Sequence, residues 1–338
     1  MVDRRPVIAG FGSRDGNQFL VGSYPAMTGP GSGDDDRSRA RKLIGKLDRK
    51  DRFHPGRHRG LAWRAVVKNK RRESTGSMVS GKTLRLNKIF RQDGRAVVVA
   101  LDHASGMGPL PGIENPEGAI VKLVQGGVDA IMTTPGVITR FGSKFGRAGV
   151  ILRVDGGSTV LGSGEGFGKL FGPSLALTLG ADAVCSMGFA GAPEEYGHWS
   201  YVASLSEECQ KLQIPFLVEA LPRGEKAKAM TPEDAVAVAC RVAAELGADF
   251  IKTSYPGSPR GMAKVVRACY VPILVLGGPK MDSDRALLET VAGALEGGAA
   301  GVCMGRNLWQ HEHPDRIVAA IAEIVHEGSS VDSALKQL

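Results

Sequence analysis

The chain has 338 residues, 43% of them hydrophobic and 23% charged, the balance of a globular enzyme, and no apolar run approaches the ~20 residues of a membrane span. The net charge of +8 is not a nucleic-acid footprint, because residues 1–77 hold 18 Lys and Arg against 8 Asp and Glu while the rest of the chain holds 25 against 27. Five cysteines (Cys185, Cys209, Cys240, Cys269 and Cys303) form no CxxC pair and mostly lie in apolar runs. That excludes a disulfide framework or a zinc site and predicts buried, reduced thiols in a cytoplasmic protein.

Residues 1–77 carry little helical or strand period. Stretches such as TGPGSGDDDRSRARK and RKDRFHPGRHRG read as disordered linker. The segment is expected to be a disordered basic extension or to lie upstream of a true start at Met78, where MVSGKTLRLNKIF opens the patterned region. A basic tail for acidic partners and a transit-like segment are the other readings, the latter at odds with the DDD run.

From residue 90 onward, short β-branched runs alternate with amphipathic stretches. The predicted strands are 96–104, 128–135, 149–157, 181–189, 214–222, 248–256, 271–278 and 299–307, near-continuous apolar runs of the kind buried on both faces of a parallel sheet. The clearest helix is predicted over 231–247, with Thr231 as N-cap, Pro232 in the first turn and Gly247 at its stop. A second, over 281–298, is capped by Asp282 or Ser283. Eight strand–helix units over about 240 residues predict a (β/α)8 TIM barrel over 78–338. A doubly wound sheet is the competing α/β architecture, but no GxGxxG follows the first strand and the unit repeats to eight.

In such a barrel the chemistry sits at the C-terminal strand ends. The candidates there are Asp102 and His103, Arg153 and Asp155, Glu219 with Pro222-Arg223-Gly224, Lys252, Gly277-Gly278-Pro279-Lys280, and Gly305-Arg306-Asn307. Lys252 lies inside the apolar run FIKTSY. A buried ammonium needs a lowered pKa or a carboxylate partner. Both a Schiff-base nucleophile and an ion-paired structural lysine fit that position. Asp102 ends a strand of Ala, Val and Leu, and is either an acid/base group or a loop cap. His103 is read as orienting a loop. The glycines of GGPK and MGRN, at the ends of strands seven and eight, together suggest a phosphate site on Gly277, Gly278, Gly305 and Arg306. The glycine-rich stretch 154–172 lacks P-loop spacing and reads as a flexible loop able to cover the site.

The segments RLNKIF, VALDHASGMGP, LPRG, ADFIKTSYPG, LGGPKMD and MGRNLWQHEHP resemble, in order along residues 78–338, the archaeal-type class I fructose-bisphosphate aldolases. Their superfamily includes 2-amino-3,7-dideoxy-D-threo-hept-6-ulosonate synthase and the autoinducer-2 phosphate thiolase. The resemblance implies a barrel with Schiff-base chemistry, Lys252 and Asp102 at the matching positions, and phosphate held by Gly277, Gly278, Gly305 and Arg306. It also implies a homo-oligomer. The aldolases and the heptulosonate synthase carry a proton-transferring tyrosine directly before the PRG of strand five, where this chain has Leu221. Glu219, two residues earlier on the same strand face, is expected to supply that group, with Tyr255 as a second candidate.

The sequence therefore predicts a lyase of carbohydrate metabolism: a class I aldolase acting on a phosphorylated ketose such as fructose 1,6-bisphosphate. Its catalytic residues would be Lys252, Asp102 and Glu219, with no metal or organic cofactor and no nucleic-acid or membrane partner. A Schiff-base transferase resembling the heptulosonate synthase or the thiolase is the alternative. A sugar-phosphate-binding barrel without turnover is the third reading.

Overall fold

A computed structural model gives the fold and describes residues 79–162 and 167–338. Residues 1–78, with the expected basic extension, lie outside the described residues.

Eight parallel strands close into a barrel. They are β1 (Ala96–Ala100), β2 (Ala130–Thr133), β3 (Gly149–Arg153), β6 (Ala183–Ala190), β7 (Phe216–Pro222), β8 (Phe250–Thr253), β9 (Ile273–Leu276) and β10 (Gly301–Met304), and β10 pairs back with β1 to complete the ring. Each lies within, or one residue beyond, its predicted run. The observed strands are shorter because pairing stops where the chain turns into the loops of the C-terminal mouth.

Alternation along the strands divides the core in two. Val98, Ile151, Leu217, Phe250 and Leu274 belong to the barrel interior, while Val97, Leu152, Val218, Ile251 and Val275 pack beneath the helices. Phase matters for the site: Asp102, Arg153, Glu219 and Lys252 each stand two residues beyond an interior residue, so all four project inward at the mouth.

The opposite end is plugged. Ser80 caps the helix Gly81–Ile89 by accepting from the Thr83 amide. Leu86, Ile89 and Phe90 then fill the floor of the barrel, Phe90 edge-on to Phe250 at 5.3 Å. Three aspartates that precede strands clip the floor together. Asp129, Asp182 and Asp249 accept from the amides of Val97 (2.6 Å), Val150 (3.0 Å) and Phe216 (2.9 Å) on neighbouring strands. Lys82 of the plug pairs with Asp249 at 2.9 Å. His326, near the C-terminus, bridges Asp93 (2.7 Å) and Asp129 (2.9 Å).

The helix Pro232–Glu245 is capped by Thr231, and Asp284–Glu296 by Ser283 rather than Asp282. All five cysteines are buried and unpaired. Among the described residues no helix is long and apolar enough to cross a membrane.

The glycine-rich stretch departs from the expected flexible loop. β4 (Asp155–Gly157) and β5 (Phe167–Lys169) form an antiparallel hairpin. Two tertiary contacts order it. Asp155 accepts from Ser186 Oγ at 2.8 Å and the Met187 amide at 2.5 Å, and the Val154 carbonyl accepts from the amides of Leu170 and Phe171. At Gly156 a Cβ would lie 2.7 Å from Leu170 Cδ1, so a larger residue there would have to push the exposed Leu170 side chain aside. Residues 163–166 of this stretch are outside the described residues.

Candidate active site

The C-terminal mouth opens into a cavity of about 1320 Å³ lined by Asp102, Arg153, Glu219 and Lys252 among others. At its base lies a chain of buried charges. Lys252 Nζ stands 3.0 Å from Glu219 Oε1. Arg153 Nη2 donates to Glu219 Oε2 at 2.5 Å, its Nε donates to Asp102 Oδ2 at 2.7 Å, and its Nη1 donates to Asp155 Oδ1 at 3.3 Å. Glu219 and Lys252 are register partners on β7 and β8, so the sheet itself sets their contact.

These neighbours fix the charge states. Burial pushes the Glu219 carboxyl up, but the Lys252 and Arg153 cations outweigh it and hold the group below the usual range. Asp102 is likewise raised by burial and pulled below its ordinary value by Arg153 and then Lys252. At Asp155 burial prevails over Arg153 and the carboxyl is raised. Lys252 loses to burial and gains more from Glu219, so it rests as an ammonium with a raised pKa. Of the two sequence readings, the carboxylate partner is therefore present and the lowered lysine pKa is not. A lysine held this way becomes a nucleophile when its proton passes to a carboxylate in contact with it, and Glu219 is that carboxylate.

His103 lies 3.5 Å from Asp102 Oδ1 without a hydrogen bond from Nδ1. Its ring packs edge-on to Trp309 at 5.5 Å. Burial holds it below its ordinary pKa against the pull of Asp102, with Lys252 and Arg306 adding to the depression, so the imidazole is neutral.

The two glycine loops meet beside this centre. The buried Asn307 ties them: its Oδ1 accepts from the Met281 amide at 2.7 Å, and its Nδ2 donates to the carbonyls of Gly277 and Pro279, both at 3.0 Å. Gly278 has φ +66°. Gly305 touches His103, whose Cε1 would lie 2.5 Å from a Cβ there. Arg306 opens the short helix Arg306–Trp309, and its buried Nε has no hydrogen-bond partner among the described residues. None of Gly277, Gly278, Gly305 and Arg306 lines the main cavity directly; Gly305 packs against His103, which does.

Two residues fall differently from expectation. Tyr255 lies outside the barrel with its hydroxyl against Gly293, 2.5 Å from where a Cβ would be, and does not line the cavity. That removes it as a proton donor at Lys252. Leu221 is 7% exposed and is the register partner of Phe189. Sequence reasoning placed Arg153 at a strand end but gave it no role. Its partners are 51 and 66 residues away along the chain, and the one local signal was a lone arginine closing the apolar run GVILR.

The model of the DeoC/LacD family aldolases matches residues 96–311. An uncharacterized aldolase of Saccharolobus solfataricus is 36% identical over 271 residues, which are 76% of this chain and 99% of that protein. The 2-amino-3,7-dideoxy-D-threo-hept-6-ulosonate synthase of Halobacterium salinarum is 34% identical over 259 residues, 76% of this chain and 96% of the relative. Among solved structures, an archaeal fructose-1,6-bisphosphate aldolase, whose catalytic Lys is covalently bound to the carbinolamine intermediate of its substrate, superposes with a TM-score of 0.65. It is 31% identical and covers 72% of this chain and 99% of its own.

Proposed function

This chain belongs to the DeoC/LacD family of aldolases, and we propose that it is a class I enzyme acting on a phosphorylated ketose, with Lys252 as its Schiff-base lysine. The observation that carries this reading is the buried Lys252–Glu219 contact of 3.0 Å at the floor of the cavity.

Glu219 takes a proton from the Lys252 ammonium, and the free amine attacks the substrate carbonyl. Asp102 and Glu219 then serve the proton transfers that expel water and leave an iminium. A carboxylate, Asp102 or Glu219, takes the proton of the β-hydroxyl, the hydroxyl oxygen forms the aldehyde C=O, and the electron pair of the Cα–Cβ bond moves toward the iminium to leave an enamine; protonation of the α-carbon and hydrolysis of the iminium return the lysine. Arg153 holds both carboxylates in place and in their charged forms. The phosphate sits on the Gly277–Gly278 and Gly305–Arg306 loops, where backbone amides and the free Nε of Arg306 receive it.

A second reading, transfer of an acyl or aldol fragment to an acceptor in the manner of the thiolase, is favoured by Leu221, which offers no proton where the aldolases and the heptulosonate synthase carry a tyrosine. Place in carbohydrate metabolism, a cytoplasmic location and assembly into a homo-oligomer are parts of the same proposal.

The test is solvent exchange. In deuterated buffer, dihydroxyacetone phosphate is expected to lose its C3 proton signal on the enzyme, with unphosphorylated dihydroxyacetone exchanging at least tenfold more slowly. No exchange with either ketone contradicts the enamine. Equal exchange contradicts the phosphate loops.

A further inference from the structure

We infer that the second substrate, the aldehyde released in cleavage or captured in addition, carries an apolar ring that seats on Phe189, Phe167 and His198. This rests on the reading of Lys252 as the Schiff-base lysine and specifies the other half of the same cavity.

The wall that rises from the charge centre toward the hairpin is aromatic. Phe189, on β6, lies two residues beyond Met187, the register partner of Glu219. Phe167, on β5, meets it edge-on with centroids 5.5 Å apart. His198, from the helix Glu195–Leu212, meets Phe189 at 4.9 Å and Phe167 at 6.3 Å. All three line the cavity. Phe167 keeps 36% of its surface exposed, so its ring is reachable from the cavity.

Tyr201 brings a hydroxyl to this cavity, and the two cations on this side are already engaged. Lys169 is paired with Glu208 at 2.8 Å. Arg223 lies over the Phe189 ring, its Cζ 5.3 Å from the centroid. That guanidinium covers an aromatic face and donates to the Pro222 carbonyl at 3.2 Å, placed for an anionic substituent on a ring. Beside Phe189, its register partner Leu221 offers no polar group.

Size agrees. The cavity of about 1320 Å³ exceeds the range of about 300–1,000 Å³ that encloses most small ligands. A dihydroxyacetone phosphate unit on Lys252, its phosphate on loops outside this lining, leaves the aromatic half of the cavity to the second substrate.

In the addition direction the enamine carbon of the donor bonds to the aldehyde carbon. The carbonyl π pair moves to the aldehyde oxygen, which takes one proton, and water then hydrolyses the iminium to free Lys252. Nothing in that sequence needs a phosphate on the aldehyde.

The experiment compares acceptors at saturating dihydroxyacetone phosphate: benzaldehyde, 3-carboxybenzaldehyde and D-glyceraldehyde 3-phosphate, with product measured by mass spectrometry. In parallel, the donor alone is reduced with borohydride to record the lysine adduct. The expected result is a kcat/KM at least tenfold higher for the better ring aldehyde than for the triose phosphate, with the ratio falling toward unity in Phe189→Ala. An adduct together with preference for the triose phosphate, or a ratio that Phe189→Ala leaves in place, overturns the aromatic seat alone. Absence of any adduct overturns the Schiff-base reading and the inference with it.

Discussion

Replacing Glu219 by Gln keeps the shape of the side chain and removes one charge from the floor of the cavity. In the native protein, Lys252 Nζ and Glu219 Oε1 are 3.0 Å apart. At an effective dielectric near 20 their attraction is worth about 5 kcal/mol, enough to outweigh burial and hold Lys252 as an ammonium. Without that charge, the largest support of the ammonium is gone, and burial with Arg153 is opposed only by Cys303 and Asp102, so the lysine pKa falls from its native position. The sign is therefore fixed: the pH at which borohydride-trapped adduct forms at half its maximal rate moves to lower pH, by more than one unit. Turnover moves the other way, because the amide cannot relay protons, and a loss of about 10²–10⁴-fold in kcat is expected. Stability falls as well, by about 3–5 kcal/mol, since a buried ion pair is broken. Stopped adduct formation from pH 6 to 10, beside steady-state turnover, separates these effects. An unmoved acid limb with kcat intact would refute the assignment of Glu219 as both counter-ion and proton acceptor of Lys252.

Two further outcomes follow from contacts away from Lys252. Asn307→Ala strips hydrogen bonds from the Gly277 and Pro279 carbonyls and the Met281 amide. It is expected to lower stability by about 2–4 kcal/mol and to raise KM for phosphorylated ketones more than for unphosphorylated ones; equal changes would separate Asn307 from phosphate binding. At the barrel floor, burial pushes His326 down, but hydrogen bonds to Asp129 and Asp93 raise its pKa above the ordinary 6.5. A raised histidine stabilises the fold fully below its unfolded-state pKa and loses that contribution as pH rises through the folded-state value. His326→Leu should therefore cost about 1–3 kcal/mol at pH 6 and less at pH 9 in denaturant unfolding, and a gap that widens with pH would contradict the bridge.

The barrel was legible because strands buried on both faces have little choice but continuous apolar residues, as AVVVA and ILVL illustrate. Thr231 and Ser283 were legible as caps because the interaction is local. Lys252 and Asp102 stood out as charges closing such runs. The hairpin was hidden because its order comes from Asp155 reaching the backbone of β6, 32 residues away, while its glycines carry no period. Arg153 was hidden for a similar reason: two of its three carboxylates, Asp102 and Glu219, lie 51 and 66 residues away along the chain. The charge state of Lys252 depended on one fact of register, its pairing with Glu219 across β7 and β8, which a strand prediction without alignment of neighbours does not contain. Tyr255 misled because counting from Lys252 ignores the turn after β8 that carries its ring outside the barrel against Gly293.

The central claim is that one lysine of this barrel forms a covalent link to a ketone. Borohydride reduction of the enzyme with dihydroxyacetone phosphate, followed by peptide mapping, tests it most directly. The account predicts a stable adduct on the peptide that contains Lys252, absent in Lys252→Arg. No adduct, or an adduct that maps to another lysine such as Lys280, would contradict it.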